Sequence, residues 1–306
     1  MKPYTFVDYA TQGYTALVAV IILALHNASV PGWGWFVVAH LLCLALVHLL
    51  IHASAARPAN RLLDFLRHFY PVLLYTGFYR ETGLLNQMTY TGYFDAALFR
   101  LEHQIFGCQP SLNFMLAYPQ RWVAELFYFS YFSYYLMIVG VGLALFLRER
   151  RQFYHYVSVV SFVFYACYLT YIFVPVIGPR IGQRDMMPME LPPEVPAQVE
   201  WVIPETVQGS VFYRVMGFIY HHFETPGAAL PSSHVAIALV TVYFSFLYLR
   251  KIRWPHLVLV LLLCASTVYG RYHYVVDVAA GMLTVLLMLP LGNWLFWKSR
   301  KQKLGK

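Results

Sequence analysis

Seven stretches of this chain, at about 13–30, 33–54, 122–147, 153–177, 233–250, 255–271 and 275–297, are apolar over roughly the 20 residues that a helix needs to cross a bilayer. In hydrocarbon the backbone must satisfy its own hydrogen bonds, so runs of this kind become helices. The remaining residues offer no soluble alternative. Only 12% of the 306 residues are charged and 59% are apolar, whereas a water-soluble domain carries about 25% charged residues. The expectation is an all-α, polytopic membrane helix bundle.

The basic residues set its orientation. "RERR" at 148–151, "RKIR" at 250–253 and "KSRKQK" at 298–303 sit at the ends of apolar runs, where cytoplasmic anchors belong. The net charge of +8 therefore reflects membrane anchoring, and no nucleic-acid partner is expected. Arg57, Arg61 and Arg67 belong on the same side, which leaves the run at 122 starting on the wrong one. "FLRHFYPVLLYTGFY", 65–79, is expected to supply the missing crossing as a short, tilted or re-entrant piece holding Pro71. Both termini are then cytoplasmic, and no cleaved signal peptide is expected. The four cysteines suggest no disulfide framework.

This gives N-terminal transmembrane segments over 1–80, an outer-face amphipathic region over 81–121, and a catalytic transmembrane core over 122–306 with a long outer loop at 178–232. "DAALFRLEHQIFG" in the middle region has helical periodicity with charges on one side, and is expected to lie flat on the outer surface. The long loop is rich in proline around 187–204.

Ionisable residues at membrane depth are costly and mark function. "GPR" places Arg180, with Arg184 close by, at the outer end of one span. "LPSSH" opens the next with Ser232, Ser233 and His234. The chain then descends, turns at "RKIR" and returns about 18 residues later, ~27 Å at the helical rise. "GRYHYVVD" brings Arg271, His273 and Asp277 back to the same side. A carboxylate four residues from a histidine fixes its tautomer and makes the other ring nitrogen a better nucleophile. Arginine offers a planar fork for phosphate oxygens, and the start of a helix favours an anion. Each piece alone has a structural explanation; their convergence points to a phosphate site with a nucleophilic histidine. His26, His40, His48 and His52 lack charged partners in sequence and read as packing residues. "FYFSYFSYY", 127–135, reads as interfacial belt and helix packing. His221, His222 and Glu224 read as loop residues bordering the site rather than as metal ligands.

"PSSH" followed 39 residues later by the histidine of "HYVVD" resembles the type 2 phosphatidic acid phosphatase superfamily. The resemblance implies a six-helix phosphatase-type core, here with extra N-terminal spans. It implies His273 as a nucleophile forming phosphohistidine, Asp277 orienting it, and His234 protonating the leaving oxygen. Ser232, Ser233, Arg180 and Arg271 would hold phosphate, and no metal or cofactor is needed. The chain departs from the family pattern at three places. Ser233 replaces the usual glycine, and "GPR" reverses the usual Arg-Pro. Thr267 stands where the third motif has arginine, so the contacts of Thr267 and Arg184 are open. These departures, with "LEHQIFGCQPSLNF" at 101–114, look more like the branch that includes inositol phosphorylceramide synthases. The expected partners are a lipid phosphate or phospholipid, an alcohol acceptor if the enzyme is a transferase, and membrane lipids. The alternatives are a lipid transporter or an inactive membrane scaffold.

Overall fold

The computed structural model describes residues 4–180 and 203–304. It is 80% helical; among the described residues there are twelve helices and no strand, only one isolated bridge. In chain order they are α1 (Phe6–Leu25), α2 (Trp33–Ala56), α3 (Arg61–Leu85), α4 (Asp95–Phe106), α5 (Pro110–Ala117) and α6 (Arg121–Arg148). There follow α7 (Arg150–Phe173), α8 (Glu205–Gln208), α9 (Val211–Phe223), α10 (Ser233–Tyr248), α11 (Arg253–Tyr269) and α12 (Val275–Leu304). By length and composition α1, α2, α6, α7 and α12 are each able to cross a membrane, while α10 and α11 are apolar but shorter. The protein is an all-α polytopic bundle.

Burial sorts the helices. α7 is central: 72% of its most apolar 18 residues are buried, against 22% for α2. α7 packs on α1, α3, α6, α10 and α12, and α10 is held between α6, α7, α11 and α12. α2 touches α1 and α3 and turns Leu41, Leu42, Leu46 and Leu49 outward, as a helix facing lipid does. The basic clusters gather at one end. Arg148 Nη1 donates to the Tyr248 carbonyl at 2.6 Å, and the Arg151 guanidinium lies 5.5 Å from the Trp297 ring centroid.

The segment at 65–79 differs from expectation. It is neither short nor re-entrant, but the middle of the 25-residue α3, which runs through Pro71. Arg67 is no surface anchor. It is buried and paired with buried Asp8 of α1, whose other carboxylate oxygen accepts from Tyr70 Oη at 2.6 Å. A charge paired in this way can lie inside a helix bundle; alone it could not. His40 also has a partner that its own helix does not reveal, the Glu81 carboxylate at 3.5 Å.

The position of α4 was not foreseen either. Arg100 and His103 are exposed, but Asp95 and Glu102, seven residues and two turns apart, are buried with Leu98 and Phe99. Asp95 Oδ2 accepts the Ile177 N–H at 2.9 Å, and Oδ1 accepts the Gly178 N–H at 2.8 Å and the Tyr274 hydroxyl at 3.3 Å. Glu102 Oε1 accepts the Val276 N–H at 3.2 Å, at the start of α12. A helix start has N–H groups without partners in its own helix, and a carboxylate from α4 supplies one. Next to these contacts, Val176 N–H donates to Gly227 and Ala229 N–H donates to Val176, tying 176–178 to the chain just before α10.

Burial holds the Glu102 carboxyl up at about 7, against its ordinary 4.5, although the N–H groups it accepts pull the other way. A carboxyl raised by folding binds more protons folded than unfolded. Its contribution to stability is therefore full below about 4.5 and is lost as pH rises through about 7. Glu102→Gln, neutral throughout, should flatten the pH dependence of thermal denaturation between about pH 4.5 and pH 7. An unchanged slope would show that Glu102 carries no such proton.

Candidate active site

Three chain segments meet at the end of the bundle opposite the basic clusters. The first is 176–180, held by Asp95. Gly178 adopts a left-handed φ of +98°, and a Cβ there would lie 2.5 Å from the Tyr272 carbonyl oxygen. Only glycine permits both the turn and this approach. Arg180 follows, its guanidinium 4.3 Å from the Tyr272 ring centroid and 5.2 Å from that of Tyr220.

The second is the start of α10. Ser232 caps it, its hydroxyl accepting the Val235 N–H at 3.3 Å. The N–H of Ser232 donates to the Asp277 carbonyl at 3.0 Å, and that of Ser233 to Tyr171 Oη at 3.2 Å. Ala236 N–H returns to the Ser232 carbonyl. These amides are occupied by protein acceptors, so the helix start anchors α12 and α7. α12 fits against it because Gly281 has no side chain; a Cβ there would lie 2.6 Å from the Ser232 carbonyl oxygen.

The third is the turn from α11 to α12. The Thr267 carbonyl accepts both the Tyr272 and the His273 N–H groups, at 3.0 and 3.1 Å. Its hydroxyl donates back to Cys264 at 2.8 Å, so Thr267 shapes the turn. Arg271 is fully buried in a left-handed conformation, φ +60°, rare and strained for a residue with a side chain. Burial pulls its guanidinium below the ordinary value, and the positive charge of Arg180 acts the same way. Arg180 and Arg271 thus share one small volume. His273 precedes α12 and Asp277 sits in its first turn, so the two meet across a helix start rather than along a helix face. Asp277 Oδ2 accepts the Tyr274 N–H at 2.9 Å and faces His273 Nδ1 at 3.5 Å.

His273 Nε2 lies 3.4 Å from His234 Nδ1. Burial drives the His273 ring down to about 3, with the Ala229 carbonyl opposing. Near neutral pH its lone pair is therefore free of a proton. On its other side, His234 Nε2 lies 3.2 Å from Tyr131 Oη, which is 2.7 Å from Tyr220 Oη. The rings of His234, Tyr131 and Tyr272 lie against one another with centroids 4.9 and 4.4 Å apart, and Arg180 covers the end of the column.

A cavity of about 450 Å³ opens from this point, with His234 and Ser233 at one end. Its walls are Val72, Tyr75, Thr76 and Tyr79 of α3, Tyr134, Tyr135, Ile138 and Val139 of α6, Phe164 and Tyr168 of α7, and Ile219, Tyr220 and Phe223 of α9. Glu224 lines it as well, whereas His221 and His222 are exposed. No group of three His, Cys, Asp or Glu able to hold a metal occurs among the described residues. Arg184 lies outside the described residues.

A family model described as the PAP2 superfamily matches residues 96–291. The chain belongs to the PAP2 superfamily. No curated protein and no solved structure matches it. The PAP2 match runs from α4 to α12 and includes His234, His273 and Asp277; α1 to α3 lie outside it. Membership makes the protein an integral membrane protein of the lipid-phosphatase type, with a lipid substrate.

Sequence reasoning missed several residues of this PAP2 site. Asp95 and Glu102 had a signal, two acids on one stripe of an otherwise apolar helix face. The run at 127–135 also had one: Tyr128, Tyr131 and Tyr134 recur at helical spacing, and all three are buried, in line with the helix packing expected of this run. Gly178 and Gly281 had none, because their need for a missing side chain arises only from contacts far along the chain.

Gly178→Ala should lower the thermal melting temperature and cut turnover at least ten-fold, since both the φ and the Tyr272 carbonyl oppose a methyl group. A fully active, equally stable variant would mean that the 176–180 segment does not hold the site.

Proposed function

We propose that the protein moves a phosphoryl group or phospho-headgroup from a membrane lipid to an acceptor through a phosphohistidine at His273. The supporting observation is the His273 Nε2–His234 Nδ1 approach at 3.4 Å, backed by Asp277 on one side and opening to a lipid-sized cavity on the other. His273 Nε2 attacks phosphorus, and the P–N bond forms as the P–O bond to the leaving group breaks. His234 delivers its Nδ1 proton to the departing oxygen. Tyr131, donating to His234 Nε2, favours that tautomer. Asp277 accepts a hydrogen bond from the Nδ1–H of His273, which stays on the ring, and stabilises the positive charge that builds there. Arg180 and Arg271 meet the phosphoryl oxygens. Ser233, at the cavity end, contacts the leaving oxygen, while Ser232 keeps the helix start in place. In the second half His234 removes a proton from the acceptor, which attacks phosphorus and frees His273.

The cavity gives the hydrocarbon of the lipid a place next to His234, the leaving-group side. The reaction so drawn needs only side chains, and chelators are expected to leave it unchanged. It takes place at the face away from the basic clusters, the extracytoplasmic one under the positive-inside rule, with both termini cytoplasmic. Water as acceptor makes the protein a lipid phosphate phosphatase. An alcohol makes it a phosphotransferase resembling inositol phosphorylceramide synthases, a reading favoured by the reversed "GPR" and by Thr267.

Purified protein, incubated with lipid phosphates and with phospholipids, should release phosphate in the first case or form a new phospholipid on addition of alcohol in the second. His273→Ala and Asp277→Asn should each reduce turnover by at least about 10³-fold without loss of expression. Wild-type activity in His273→Ala would sink the assignment, and absence of any acid-labile phosphoprotein in rapid-quench labelling would favour a transporter or scaffold. Val72→Phe, in the α3 wall of the cavity, should shift preference toward lipids with shorter chains and leave water-soluble phosphate esters unaffected.

A further inference from the structure

α6 places a second phenol one turn from Tyr131. Tyr128 is 1% exposed, and its hydroxyl has no hydrogen-bond partner among the described residues. Its ring is held edge-on by Tyr213 at 5.3 Å and by Tyr269 and Tyr272 at 6.2 Å each. Phenylalanine would make every one of these contacts. The hydroxyl alone is unaccounted for, and a buried hydroxyl without a partner is destabilising. Its charged surroundings are the guanidiniums of Arg180 and Arg271, both close enough to act electrostatically on the phenol. Neither is a hydrogen-bond acceptor. The phenol oxygen can accept from a guanidinium, but its proton has no acceptor among the described residues, and the site's own chemistry supplies one, a tetrahedral phosphoryl group.

We propose that the Tyr128 hydroxyl is a catalytic donor to a phosphoryl oxygen, working with Arg180 and Arg271 at the site where the third motif lacks its arginine. The proposal rests on the phosphohistidine reading above. Thr267 occupies the arginine position and keeps its hydroxyl on the Cys264 carbonyl, so it donates nothing to a substrate. Tyr128 approaches the same volume from another helix. No charge is added, but a donor is: the oxygens that gather charge as phosphorus passes through five-coordination gain a neutral hydrogen bond. A neutral donor suits this position, because a third cation beside two buried guanidiniums would add repulsion. The ring stays fixed by its aromatic neighbours, so the hydroxyl is oriented before substrate arrives.

The test compares Tyr128→Phe with wild type and His273→Ala as full-length protein in detergent. Loss of one preorganised donor should lower kcat by about 10- to 100-fold while KM for the lipid moves by no more than about three-fold. Inhibition by orthovanadate, which mimics five-coordinate phosphorus, should weaken by at least about ten-fold, and inhibition by inorganic phosphate by less. The melting temperature should stay equal or rise, because the variant removes an unpaired buried hydroxyl. Unchanged kcat and vanadate inhibition, with His273→Ala inactive, would overturn the role of Tyr128 and leave the phosphohistidine reading standing; a buried water on the hydroxyl would give that result. A clear fall in melting temperature would also overturn it, since the hydroxyl would then have a structural partner. Activity in His273→Ala would instead remove the reading on which the proposal rests.

Discussion

Everything at the reactive end of this protein depends on two carboxylates of one short helix. Asp95 binds the N–H groups of Ile177 and Gly178 and the hydroxyl of Tyr274; Glu102 binds the first amides of α12. They fasten the segment carrying Arg180 to the turn carrying His273, two regions almost a hundred residues apart. Without these acceptors the backbone donors would be buried and unpaired, and the turn would have no reason to stay closed. α10 is drawn in by the same construction, through the Ser232 N–H on the Asp277 carbonyl and the close seat that Gly281 allows.

Much of this was legible in the chain. Apolar runs of membrane length report a local requirement, backbone bonding in hydrocarbon, and the helices formed where those runs lie. The spacing of His234, His273 and Asp277 was legible because a descent and return of equal length restore the same depth. What failed to show was pairing at a distance. Arg67 resembles an anchor until Asp8, 59 residues earlier, is found against it. α4 looks like a surface helix because its acids have no visible donors; those donors are backbone amides, which every sequence contains and none displays. "PSSH" suggests free amides at a helix start, yet whether they are free depends on Tyr171 and Asp277.

The aromatic residues of α6 show how packing and chemistry share a surface. Tyr131 packs against Tyr272 and also contacts His234 Nε2, so one side chain joins the ring column to the histidine pair. Arg180 ends the column, its guanidinium over the Tyr272 ring. Rigid rings with polar tips fit a membrane-embedded reaction chamber, where aliphatic walls would give no hydrogen bonds and flexible polar chains would collapse on one another.

The cavity has walls of two origins. α6, α7 and α9 lie inside the PAP2 match, whereas α3, which contributes Val72, Tyr75, Thr76 and Tyr79, lies outside it. The paired histidines and the α3 part of the cavity wall are therefore carried by separable parts of the chain. On the function proposed above, changes in α3 would alter which lipid enters while His234, His273 and Asp277 keep their places, so a lineage built on this plan would be free to diversify its substrates while its chemistry stays constant.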